Sequence, residues 1–338
     1  MKKILIPLLF LAILGGFAKE KNKANSNPAW PPREGIKTPG VQIPFSKLKT
    51  EADWKLEGPP DWLYAQGPVM LVPLAKRGEL SRIAGQDNKI SESWKVGQAL
   101  CGGLIEAFSH LWLPDCGAQQ LHKLNPRDGK IIASIPLRFA PGAKPALAAN
   151  ADSIWTLSDE AGTLSRLDPA NNRILHEIRV SAGCNSIHFE QEMLWITCPS
   201  ENRLVQVNPR TNLVEKRIET AASPHALTFG EGHLWVLGGK EGKISKIDPK
   251  TAKEIASIET GVPGATGSLA FGDGALWVSQ PGYPLTRIDA RTNKLLRQFA
   301  GEGGAMVRFA AGSLWLLDSN KLLLQRFDPR RVALTLPD

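Results

Sequence analysis

The stretch from Pro224 to Glu259 reads PHALTFGEGHLWVLGGKEGKISKIDPKTAKEIASIE. Four short strands follow one another in it. PHALTFG has Leu227 and Phe229 alternating with small or polar neighbours, the period of a strand with one buried face. EGH is a tight turn, LWVLGG a second strand, KISKIDP a third and KEIASIE a fourth. The unit recurs. An apolar-Trp pair stands at Trp112, Trp155, Trp195, Trp235, Trp277 and Trp315, with spacings of 43, 40, 40, 42 and 38 residues. A seventh copy has Leu71-Val72 in the same place. A period near 40 residues built only of strands marks a β-propeller, one four-stranded antiparallel blade per repeat. The fold class is therefore all-β, a seven-bladed propeller. Phe229, its counterparts Phe189, Phe271 and Phe309, and the second-strand Trp should form the core between blades.

The third strand of each unit ends in Asn125-Pro126, Asp168-Pro169, Asn208-Pro209, Asp248-Pro249, Asp289-Ala290 or Asp328-Pro329. A short polar side chain before Pro caps the backbone of a turn, and Pro pre-sets φ for the next position. Two residues earlier stand Lys123, Arg166, Lys246, Arg287 and Arg326, with Gln206 as the exception. One basic residue per blade on outer strands reads as a solvated face spread around the ring.

The ends of the chain differ in character. Residues 1–18, MKKILIPLLFLAILGGFA, have a basic start, an apolar run and the small-x-small site Gly16-Phe17-Ala18, as in a removable export signal. Residues 19–49 begin Lys-, Asn- and Pro-rich and read as a flexible leader, with VQIPFSK from Val41 lying along the surface of the body. Around Trp54 the sequence matches that around Trp94, so residues 50–57 read as a fourth strand that precedes its own first strand. Its partner should be the last blade, within residues 304–328, which closes the ring and removes an exposed edge. The propeller domain is then 50–338, and VALTLPD at 332–338 should add a short strand or fray. With 41 basic and 33 acidic residues the formal charge is +8. Removing Lys2 and Lys3 with the signal lowers it, and the rest is dispersed. Nucleic acid is not an expected partner, no membrane span follows the signal, and a secreted or periplasmic monomer is expected.

The four cysteines pair by position. Cys101 and Cys116 are 15 apart, Cys184 and Cys198 are 14 apart, each with one Cys at the start of a first strand and one at the end of a second. Such positions face each other across a hairpin at disulfide distance, and an exported protein keeps disulfides.

In a propeller the first strands line the central channel. Counting back ten and eleven residues from each Trp gives a ring at the channel mouth. Its ligand-binding candidates are Asp61, Trp62, Lys144, Asn185 and His225, joined by Tyr283 from a loop between second and third strands. Other loops add acids, Asp115, Asp159, Glu160, Glu201 and Asp318 among them. His225 is the one histidine of the ring and the candidate base of any chemistry there. Arg308 and His188 occupy equivalent positions within first strands, and a buried arginine there calls for a partner. No nucleotide, metalloprotease or hydrolase motif is present, and no cofactor or resident metal is expected.

Units of the form LWV…(K/R)IDPxTxK…I resemble the YVTN/YncE-type bacterial propeller repeats and the streptogramin (virginiamycin B) lyase-like family, over about residues 50–338. The resemblance implies either a binding scaffold, taking a small molecule, peptide or protein at the channel mouth, or a lyase that opens a cyclic depsipeptide by elimination with Mg²⁺. Elimination needs a base at the acidic C–H and an electrophile on the carbonyl. Here only His225 qualifies as base, with Asp61 or a loop acid for the metal. The lyase family's W-F-T-E second strand is LWVL or LWVS in this chain, so its Glu is missing. A quinoprotein dehydrogenase, the third propeller class, has a vicinal Cys-Cys feature that is absent. The scaffold reading is preferred.

Overall fold

The computed structural model describes residues 34–337 except 59, 61, 75, 76, 86, 141, 143, 160 and 305. Residues 1–18, read as an export signal, lie outside the described residues. Seven antiparallel sheets follow in chain order, six completed within 64–95, 105–136, 147–179, 186–219, 224–259 and 268–300, and the seventh within 306–327. Strands are named A to D outward from the channel. The A–B hairpins turn on two residues with φ > 0, such as Glu231-Gly232, Asp273-Gly274 and Ala311-Gly312. These are the primed turns whose twist matches the strands they join.

The seventh blade supplies only strands A to C. Its fourth strand is Ala52–Lys55, antiparallel to Leu323–Phe327 with Trp54 facing Leu324. The N-terminal closure expected from the Trp54 and Trp94 matches is thus observed. Part of the stretch read as leader is also sheet: Gln42–Pro44 runs parallel to Lys294–Ala300 as a fifth strand of blade 6, with Ile43 buried. The tail is neither strand nor frayed. Pro329–Leu334 is a helical turn, because the place of strand D is already filled and Asp328-Pro329 makes a good helix start. The Asp328 side chain accepts from Arg330 N, Pro329 sits in the first turn, and Val332 is buried.

The anchor tryptophans form the core between blades and are at most 1% exposed. Trp195 packs with Phe229 of the next blade, Trp235 with Phe271 and Trp277 with Phe309. Each buried indole N–H is satisfied locally. Trp112, Trp195, Trp235, Trp277 and Trp315 donate to the carbonyl five residues earlier, at 3.0 to 3.4 Å. The Asx-Pro turns behave as read: Asp168 Oδ1 accepts from Ala170 N at 2.8 Å, and Asp248 Oδ1 from Lys250 N at 3.0 Å.

The basic residues before those turns are not a solvated face. Each lies directly across strands B and C from its Trp and so shares the indole's side of the sheet. Lys123, Arg166 and Lys246 sit 5.3, 5.2 and 4.8 Å from the rings of Trp112, Trp155 and Trp235. Their cationic ends cross to the next blade. Lys123 Nζ donates to Pro169 O at 2.7 Å, Arg166 Nη1 to Pro209 O at 2.9 Å and Lys246 Nζ to Ala290 O at 3.0 Å. An aromatic floor plus carbonyl acceptors lets a cation remain between blades.

Candidate functional site

The first strands converge on a central channel of about 350 Å³ whose wall draws residues from all seven blades. Above it, at the end where first strands begin, lies a cavity of about 390 Å³. Trp62 lines both. The ring predicted from the Trp frame is largely assembled here, with Trp62, Gly102, Lys144, Pro145, Asn185 and His225 together in the wall. Asp61, Glu160 and Ala305 lie outside the described residues. Tyr283 is elsewhere. The loop before it is only Pro281-Gly282, so it enters strand C of blade 6 and is buried with Val262 and Ala265 under the 34–42 segment. Met306, one position past the expected ring frame, and Ser158 join the wall unannounced.

His225 is held by main chain on both sides. Its Nδ1 lies 3.1 Å from Ser223 O, and its Nε2 lies 2.7 Å from Gly267 N. This network puts the ring proton on Nδ1 and gives the Nε2 lone pair to Gly267 N–H. Burial lowers its pKa below the ordinary 6.5, so it is a neutral imidazole at neutral pH. Gly239 allows the fit, since a Cβ there would meet the ring at 2.9 Å. The side chain expected as a base therefore has no free lone pair to offer a substrate.

The loop acids serve their own loops. Asp115 is fully buried and accepts from the amides of Gln98, Ala99, Gly117 and Ala118 at 2.7 to 3.1 Å, with His122 Nε2 3.3 Å away. Burial alone would raise its pKa, but these donors outweigh burial and hold it low. Asp159 faces the mouth cavity, yet its oxygens accept from Thr163 N and Oγ1, both at 2.8 Å. Asp318 likewise caps Asn320 and Lys321. Among the described residues no group of three or more His, Cys, Asp or Glu is placed to hold a metal ion. Asp61, read as an acid that could hold the Mg²⁺ of the lyase resemblance, lies outside the described residues.

Both expected disulfides are present, Cys101–Cys116 with Cα atoms 5.8 Å apart and Cys184–Cys198 with Cα atoms 4.0 Å apart. Neither pair is directly opposite. In blade 2 Ile105 faces Trp112, but the register slips by two across Gly102-Gly103, so Leu100 bridges Asp115 and Cys101 N bonds Pro114 O. In blade 4 Asn185, not Cys184, continues the frame set by Ser186 facing Thr197. Both bridges run diagonally. Cys184 also lines the mouth cavity.

Arg308 lies in the channel, directly opposite Trp315 in its hairpin. Its guanidinium stands 4.4 Å from the Trp62 ring, Nε donates to Leu63 O at 3.3 Å and Nη1 to Val307 O at 2.9 Å. Burial lowers its pKa to about 10, which leaves it a cation at neutral pH.

The topology defines the protein as a seven-bladed β-propeller with a cavity at the mouth of its channel. It is similar in fold to streptogramin B lyases. A structure described as streptogramin B lyase shares 20% identity over 81% of this chain and 95% of its own, with a TM-score of 0.66. Virginiamycin B lyase from Staphylococcus aureus gives 16% identity, 81% and 97% coverage and a TM-score of 0.67. A catalytically inactive His-to-Ala variant of that lyase, bound to quinupristin, gives 17%, 81%, 97% and 0.69. No protein-family model and no curated protein sequence matches the chain. Among the described residues no helix is long and apolar enough to cross a membrane.

Proposed function

We propose that this protein is an exported binding scaffold that takes a small molecule or peptide at the channel mouth and does not transform it. The observation that carries this reading is His225, whose two ring nitrogens are committed to Ser223 O and Gly267 N inside an otherwise well-formed cavity. A cavity with an aromatic wall and a few fixed polar groups is suited to binding. Elimination needs a base with a free lone pair. Export to an oxidising compartment is supported by the signal-like residues 1–18 and by two disulfides.

The test uses the known ligand of a fold neighbour. The purified chain is incubated with Mg²⁺ and quinupristin, and ring opening is followed by mass spectrometry. The expected result is intact ligand, with any binding weakened by Trp62→Ala. Ring opening that His225→Ala abolishes would establish the lyase instead.

A further inference from the structure

Arg308 is the cation of the central channel. The channel wall around it is mixed: Trp62, Leu227, Phe271 and Phe309 stand partly exposed beside Ser186 and Thr228, while Leu63 and Leu104 are fully buried. The other ionisable groups of that wall are His188 and Tyr64. His188 Nε2 lies 3.9 Å from Glu190, and burial lowers its pKa. Tyr64 Oη accepts from Glu106 N. Among the described residues no carboxylate forms an ion pair with Arg308, and its two hydrogen bonds go to main-chain carbonyls. A guanidinium carries five N–H donors in a planar fork. Arg308 lines the cavity, and three of its five donors have no partner among the described residues. Arg308 has the same support as the cations between blades, an indole and a carbonyl of the next blade, but it lines the channel cavity.

We propose that the channel below the mouth is a binding site for small organic carboxylates with a short apolar body, the carboxylate on Arg308 and the body against the partly exposed Trp62, Leu227, Phe271 and Phe309. Trp62, shared by mouth and channel, forms the step between entrance and site. This deepens the reading of the mouth as a ligand entrance and rests on it.

Hexanoate and its neutral isostere hexanamide, titrated calorimetrically into the full mature chain, test the site. Hexanoate should bind about tenfold or more tightly than hexanamide, the usual advantage of a charge-assisted bond. Arg308→Met should erase that difference, and Tm is followed in parallel because the variant also loses two main-chain bonds. Arg308→Lys should keep part of the preference. Equal binding of the two probes, saturation by neither at tens of millimolar, or an unchanged preference in Arg308→Met would overturn the proposal. A Tm loss in Arg308→Met with no change in binding would also overturn it, making the residue a structural tie between Val307 and Leu63. A neutral ligand whose binding depends on Trp62 would keep the mouth reading while the carboxylate site falls.

Discussion

The indole of Trp54 lies stacked on that of Trp315, with ring centroids 5.3 Å apart and planes 19° from parallel. The first belongs to the N-terminal strand, the second to strand B of the last blade. Trp54 also donates from Nε1 to Asn88 O, in blade 1, at 3.0 Å. One side chain thus joins both sides of the ring's seam. Backbone pairing alone would leave a four-residue strand marginal.

Trp54→Ala is expected to destabilise the protein by about 3–5 kcal/mol, the range for deleting a large core aromatic. The loss should be read from the midpoint of urea unfolding. If the midpoint stays put while the m-value is unchanged, the seam is held by the strand bonds and not by the stacked rings.

The junction of blades 4 and 5 lacks the cationic tie seen at Lys123, Arg166 and Lys246. Gln206 faces Trp195, is buried, and its Oε1 has no hydrogen-bond partner. The turn opposite ends in Ala252, where other turns have Asn172, Asn212 or Asn293. Lys246→Gln should recreate this situation between blades 5 and 6 and cost about 1–3 kcal/mol, since it strips the bonds to Ala290 O and Asn293 Oδ1. Gln206→Lys should gain about 1 kcal/mol by reaching Pro249 O. Changes of the same sign in the two variants would show that the buried cations do not tie blades together.

Blade number, hairpin turns and Asx-Pro caps are legible because each repeats and many copies average out local accident, while ring closure is legible from the match of Trp54 to Trp94. Single-copy features were harder to see. The parallel strand Gln42–Pro44 has no counterpart in the repeat, and neither has the helical turn after Asp328. The burial of the basic residues is hidden for another reason. The pattern places Lys246 opposite Trp235, but only the three-dimensional neighbour, the turn at Ala290, says that the cation is buried. At the mouth the frame located His225, while its inertness depends on Ser223 O and Gly267 N, which no side-chain pattern encodes.

The disulfides clamp two A–B hairpins, and each closes a loop of about 15 residues. Intact mass with and without reductant should differ by the mass of four hydrogens. Cys184→Ser with Cys198→Ser should cost about 3 kcal/mol, as the loop-entropy relation gives for this length. Because Cys184 lines the mouth cavity, the same double variant should also weaken binding there. A double variant as stable as the parent would mean that the hairpin is already fixed by its backbone bonds.

The pH dependence of stability should carry the mark of His225. Its folded pKa lies below the ordinary 6.5 because of burial, and His188 in the channel shifts the same way. Between the folded value and 6.5 the unfolded chain binds more protons than the native one, so stability rises with pH in that window and falls as the solution is acidified through it. The cause at His225 is concrete: a proton on Nε2 would point at Gly267 N–H and break a 2.7 Å bond. Urea midpoints measured from pH 7.5 down to 5 should therefore decline, and the decline should be shallower in His225→Gln. A variant that declines as steeply as the parent would mean that His225 accepts its second proton in the fold. The imidazole would then be free to act as the base that its committed lone pair now precludes.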